Sequence, residues 1–183
     1  MGMNRKGKFG IPARKTLDAD LIGTPESLLN FAEKSGLKIC PLDVYGIAEK
    51  LGIHVTDDSS LQENISGILE KDENGKWTMR VNASHHPNRK RYTIAHELGH
   101  FCLHKHQEMF FEDQLFFRGL ERTKTEWQAN AFASAILMPE NQFQAFLNQG
   151  ICDVDKLAQE FEVSTLALRI RAQELGFSGH GLK

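Results

Sequence analysis

The 183-residue chain lacks most of the marks of a secreted, membrane-bound or strongly nucleic-acid-binding protein. Its three cysteines, Cys40, Cys102 and Cys152, are too few and too far apart for a disulfide framework, which implies a reducing, cytoplasmic setting. Its apolar runs are short and broken by polar residues, which excludes a transmembrane helix. The N-terminal MGMNRKGKFGIPARK is basic but has no apolar stretch, so it is no secretory signal. Lys6 stands where a myristoylation motif needs Ser or Thr. The formal charge of −2 gives no global positive field to attract nucleic acid. What is present is 40% hydrophobic residues, enough for the core of one ordinary domain. Histidine is unevenly spread: of eight, six lie between His85 and His106.

Arg5, Lys6, Lys8, Arg14 and Lys15 precede the first acid, Asp18, in a stretch with few large apolar residues. This composition predicts a solvated, flexible basic arm over 1–20. Thr24-Pro25 reads as an N-cap and first helical turn, followed by a stripe of Leu28, Leu29, Phe31 and Ala32 that ends at Gly36. A second helix is expected over Leu42–Leu51, stopped by Gly52, and a strand from there through Val55. Ile65–Glu70 and Trp77–Asn82 flank a turn at Asn74-Gly75 and predict a hairpin. Arg91–His106 and Thr125–Leu137 read as helices, the latter stopped by Met138-Pro139. Phe110, Phe111, Phe116 and Phe117 mark an aromatic loop between them. Helix is expected again over Gln142–Leu147, and Val154–Phe177 reads as two helices with a break near Glu162–Ser164.

The chemistry concentrates in His96-Glu97-Leu98-Gly99-His100. Residues four apart on a helix lie on one face, so His96 and His100 can aim two imidazole nitrogens at one point. Neutral imidazole is a good zinc ligand. Glu97, about 100° round the helix from His96, can reach a water at the metal without displacing it and take its proton as attack begins. A charged, solvated helix face is the alternative reading. The apolar residues Ile94, Ala95, Leu98, Phe101, Cys102 and Leu103 argue against it, because they should bury the helix, and unpaired buried histidines are costly. Cys102, off the ligand face, reads as a small core residue.

A catalytic zinc needs a third protein ligand and an open fourth position. His106 has the metzincin spacing, but Leu103 stands where that pattern needs a bending glycine. Glu108, Glu112 and Asp113 fall in the aromatic loop with no helical placement to recommend them. Glu126 is the better choice. It opens a helix whose small Ala129 and Ala133 permit close approach to the HExxH helix. Asn130 shares its face and is placed to accept a hydrogen bond from the second ring nitrogen of a ligating histidine.

The string Arg91-Tyr92-Thr93-Ile94-Ala95-His96-Glu97-Leu98-Gly99-His100-Phe101-Cys102-Leu103-His104 resembles the signature of the ImmA/IrrE metallopeptidases. So does Glu126-Trp127-Gln128-Ala129-Asn130-Ala131-Phe132-Ala133, followed by Leu137-Met138-Pro139; upstream, Pro41–Leu51 and Ile65-Ser66-Gly67 also match. The resemblance covers about residues 25–175. It implies an α+β, mainly helical zincin-like metalloprotease with a small β-sheet. It implies one Zn²⁺ per chain on His96, His100 and Glu126, with Glu97 as general base. It implies, as substrate, a cytoplasmic helix-turn-helix repressor or antitoxin cleaved in stress, prophage or mobile-element responses. With no long helix-turn-helix domain ahead of the motifs, the repressor is expected on a separate chain.

The resemblance leaves His104, His85 and His86 open. His104 sits one turn beyond His100 and either hydrogen-bonds near the site or caps the helix end, with the structural role favoured. His85 and His86, in a loop before Pro87, are placed either to stabilise an oxyanion or to serve as ordinary surface histidines.

The resulting division is a basic arm over 1–20, a zincin-like domain over 21–150 and a C-terminal helical pair over 151–183, spaced like a helix-turn-helix. That pair carries four bases and five acids, Asp153, Asp155, Glu160, Glu162 and Glu174 among them, too little positive charge for phosphate-dominated DNA binding. Packing on the core or docking a protein partner is favoured. Two other functions stay open: a metal-binding regulator that holds a repressor without cleaving it, and a DNA-binding protein using the terminal helices. Peptide deformylase fits poorly, because Gly99 stands where its motif needs an acid.

Overall fold

The computed structural model describes residues 22–114 and 123–177. The basic arm over 1–20, and Phe116 and Phe117, lie outside the described residues. The architecture is α+β: helices around one four-stranded mixed sheet.

Helix α1 (Pro25–Lys34) starts where Thr24 and Ser27 exchange caps in a capping box. Helix α2 (Val44–Lys50) starts at Asp43, whose carboxylate accepts from Gly46 N at 2.9 Å. Gly52, at φ +80°, ends that segment in the left-handed region. Strands β1 (His54–Asp58), β2 (Ile65–Lys71), β3 (Trp77–Asn82) and β4 (Phe110–Gln114) follow, with α3 (Pro87–His104) between β3 and β4. Then come α4 (Lys124–Leu137), α5 (Glu140–Asn148), α6 (Val154–Phe161) and α7 (Thr165–Glu174).

The expected hairpin is β2 and β3, antiparallel, with Gly75 at φ +82° in its turn. Its place in the sheet differs from that of a free hairpin. The strand order is β1-β3-β2-β4, so β1 covers β3 in parallel and β4 covers β2 antiparallel. Neither hairpin strand offers a free edge for a substrate, and Met79, fully buried, pairs with both Val55 and Leu69. The Phe-rich stretch is likewise no simple loop. Its first residues form β4, an edge strand in which Phe111 turns inward and Phe110 is half exposed.

Helix α3 begins at Pro87, earlier than Arg91, because His86 Nδ1 caps it by accepting from Asn88 N at 3.2 Å, and proline suits a first turn. It is buried from Thr93 to Cys102 and lies across β2 and β3. Ile94, Ala95 and Leu98 reach the main core with Leu69, Met79 and Val81. Each such large side chain removed from water contributes roughly 1.5–3 kcal/mol. On its other side α3 makes its most extensive helix contact, with α4. Gly99 makes that contact close. A Cβ there would lie 3.1 Å from both Cα and O of Ala129 and 3.3 Å from Phe132 Cβ.

The two C-terminal helices fasten to this core through named bonds. Asn88 Nδ2 donates to Val163 O at 3.1 Å, and Arg171 Nε donates to Met138 O at 3.1 Å. Glu162 ends α6 with φ +51°, where a side chain is strained and glycine is usual. Arg91 of α3 explains its tolerance: its guanidinium meets the Glu162 carboxylate at 3.3 Å and donates to the Glu162 carbonyl at 3.3 Å.

Candidate metal centre

The metal-binding geometry follows from two helices. Across one turn of α3, His96 Nε2 and His100 Nε2 stand 3.0 Å apart, with their rings edge to face at 74°. Helix α4 brings Glu126 to the same point. Its Oε2 lies 3.3 Å from His96 Nε2 and its Oε1 lies 3.1 Å from His100 Nε2. The Gly99–Ala129 contact sets how near α4 can come. The cap at Thr123, whose Oγ1 accepts from Glu126 N at 3.3 Å, sets where its first turn starts. One ligand atom from each of the three residues lies within 4.8 Å of the others, a group that could hold a metal ion.

Electrostatics draw positive charge to this point. Burial works against a charged His96, but its hydrogen bond to Glu126 and the carboxylates of Asp113, Glu97 and Glu126 push its pKa up to about 9. Burial acts on Glu126 as well, yet its bonds to His100 and His96 and their charge hold it well below the usual carboxylate range. Burial lowers the pKa of His100. Around neutral pH this favours a protonated His96.

Glu97 lies beside this group and is not part of it. It is fully buried, and neither carboxylate oxygen has a hydrogen-bond partner among the described residues. Burial, opposed by His96 and reinforced by Asp113 and Glu126, pushes its pKa up to about 8. Gly67 of β2 lets α3 lie close to the sheet beside Glu97: a Cβ there would collide with Thr93 Cγ2, while its 3.6 Å approach to Glu97 Oε1 would be ordinary contact. A buried carboxylate with both oxygens unsatisfied is costly. A bound cation with water in its open position would meet that need. Two imidazoles and one carboxylate are also a donor set typical of catalytic zinc. The residues therefore fit a divalent metal.

The other expected residues fall into different places. Asn130 does not meet a histidine ring. It accepts from Tyr92 Oη at 3.0 Å, and its Nδ2 donates to Glu126 O at 2.8 Å, because four residues on it sits back along its own helix. The second nitrogen of His100 instead meets His104, Nδ1 to Nδ1 at 3.2 Å, and His104 Nε2 meets Gln128 Oε1 at 3.2 Å. His86 caps α3. His85 lies at the other end of that helix from His100, with burial and Arg89 lowering its pKa. His106 is exposed beyond the end of α3, outside the metal group. Cys102 is buried in the core, where burial pushes its thiol up to about 12.

Strand β4 supplies what sequence reasoning missed. Phe111 stacks on His100, ring centroids 4.6 Å apart, and Asp113 adds its charge to the field at His96 and Glu97. No local pattern marks either one; both depend on pairing with β2, some forty residues earlier in the chain.

The IrrE N-terminal-like domain, a peptidase family, matches residues 48–173. A solved structure described as a Mycobacterium tuberculosis transcriptional regulator is similar in fold, with a TM-score of 0.57 at 20% identity over 81% of this chain. The match takes in 46% of that chain, so this protein spans less than half its neighbour's length. No curated protein matches the chain. Over most of its length, through both helices that carry the candidate metal centre, the chain belongs to the IrrE N-terminal-like family of metal-dependent peptidases.

Proposed function

We propose that this protein is a cytoplasmic zinc-dependent endopeptidase acting on a helix-turn-helix repressor or antitoxin. The observation that carries the reading is Glu97: a fully buried carboxylate, without a hydrogen-bond partner, beside two imidazoles and a carboxylate that converge. His96, His100 and Glu126 would hold the zinc. When bound, zinc supplies Lewis-acid activation of water and of the scissile carbonyl. Beside a bound cation Glu97 would be held ionised, against the burial that raises its pKa. Glu97 then takes a proton as the water oxygen attacks the carbonyl carbon. It passes that proton to the departing amide nitrogen as the C–N bond breaks. Phe111 and the α3 backbone hold His100 in place, and burial keeps bulk water from competing for Glu97.

An extended substrate would lie along β4, the sheet edge nearest the metal group, adding its backbone to the strand. The substrate class rests on the family resemblance. The net charge of the C-terminal helices favours docking of a protein there over DNA.

The test is cleavage of a purified candidate repressor by zinc-loaded protein. Wild type should cut it, and Glu97→Gln should keep zinc and fold while losing cleavage by about two orders of magnitude or more. Cleavage by Glu97→Gln at the wild-type rate would show that another group accepts the proton. A repressor bound but left uncut by wild type would favour the non-proteolytic regulator.

A further inference from the structure

We propose that Gln128 is a positioning residue for His100: acting through His104, it fixes the ring tautomer that leaves His100 Nε2 free to bind metal. This rests on the reading that His100 is a ligand.

The three side chains form a line, buried at His100 and His104 and half-buried at Gln128. His104 lies one turn after His100 on α3 and is 3% exposed. Its Nδ1 is 3.2 Å from His100 Nδ1, and its Nε2 is 3.2 Å from Gln128 Oε1 on α4. Phe111 stacks on His100 and lies 6.3 Å from His104.

Two neutral imidazoles facing each other through Nδ1 can share only one hydrogen between those atoms. In the first arrangement His100 Nδ1–H donates to His104 Nδ1. His104 then carries its hydrogen on Nε2 and needs an acceptor there, while His100 Nε2 presents a lone pair to His96 and Glu126. In the second arrangement His104 Nδ1–H donates to His100 Nδ1, and His100 must carry its hydrogen on Nε2, where it cannot ligate. The carbonyl oxygen of Gln128 accepts in the first arrangement. Without it, that arrangement leaves a buried N–H without an acceptor, which is costly.

Helix α4 therefore serves the centre twice. Glu126 reaches the metal group directly, and Gln128, two residues on, acts on the ligand from the other helix. A histidine that merely capped the end of α3 would direct its nitrogens to helix carbonyls. His104 directs both to side chains.

Zinc affinity by chelator competition, stability of the metal-free form, and nitrogen NMR of the histidine rings test this together. Gln128→Leu should weaken zinc binding about 10–100-fold, a usual effect of losing a partner of a ligating histidine. Gln128→Glu, which keeps an acceptor, should bind within about threefold of wild type. The melting temperature of the metal-free form should change little in either variant. In zinc-loaded wild type, His100 should carry its hydrogen on Nδ1 and His104 on Nε2. Wild-type affinity in Gln128→Leu, equal weakening in both variants, or a hydrogen on Nδ1 of His104 would each overturn the proposal. Glu126→Ala, run alongside, separates the two readings: unchanged zinc affinity there would refute the metal assignment itself.

Discussion

Gly99 shows how one residue sets the geometry of the candidate metal centre. It is not needed for a turn; it is helical and lies against Ala129. Alanine is the better helix former by about 1 kcal/mol, so an isolated helix would gain from Gly99→Ala. Here the added methyl meets backbone, which cannot turn aside, and overpacking of this kind costs roughly 1–3 kcal/mol. Helix α4 would shift away, taking Glu126 with it. The expected result is a folded protein with zinc affinity reduced at least about tenfold, read by chelator competition. Undiminished affinity would show that the helix contact does not set the ligand position. The sequence already shows the HExxH pair, because helix period alone places its two histidines together. It also marks Glu126 through the small residues that follow it. The role of Asn130 was not legible: a shared helix face fixes direction, not distance, and His104 lies nearer to the second nitrogen of His100.

At the scale of elements, local signals located the helices and the hairpin. Thr24, Asp153 and Ser164 all cap as polar residues before apolar stripes do. Strand β4 escaped because Phe-Phe-Glu-Asp-Gln has no two-residue alternation, and its partner strand is distant in sequence. The same gap hid the strand order, which depends on the parallel pairing of β1 with β3. The turn between α6 and α7 offers a test of local strain against a tertiary bond. Glu162 holds a left-handed conformation and an ion pair with half-buried Arg91. Glu162→Gly would lose the pair but relieve the strain, whereas Glu162→Ala would lose the pair and keep the strain. Denaturant unfolding should therefore find the glycine variant more stable than the alanine variant by about 1 kcal/mol. Equal stabilities, or a more stable alanine variant, would mean that φ at this position costs nothing.

At the scale of the whole molecule, the buried charges make stability depend on pH and metal. His96, raised to about 9 from 6.5, contributes stability that is present below pH 6.5 and lost as pH rises through about 9. Glu97, raised to about 8 from 4.5, has the same sign: its contribution is present below pH 4.5 and lost by about 8. Glu126, with its pKa lowered, contributes above its ordinary value and loses that contribution on acidification. The metal-free protein should therefore melt at progressively lower temperature from about pH 6 to pH 9. On the proposed reading zinc would replace the bound proton, so the stabilisation gained on adding it should grow over the same interval. A metal-free melting temperature that stays level or rises across that range would contradict this balance of charges. Among the described residues no helix is long and apolar enough to cross a membrane.

Zinc stoichiometry, measured by elemental analysis on wild type, Glu97→Gln, Glu126→Ala and His106→Ala purified and dialysed together, tests the central claim most directly. Wild type, Glu97→Gln and His106→Ala should each hold about one zinc per chain, and Glu126→Ala little, since three protein ligands are what a catalytic zinc site requires. Full zinc content in Glu126→Ala, with loss in His106→Ala, would contradict it.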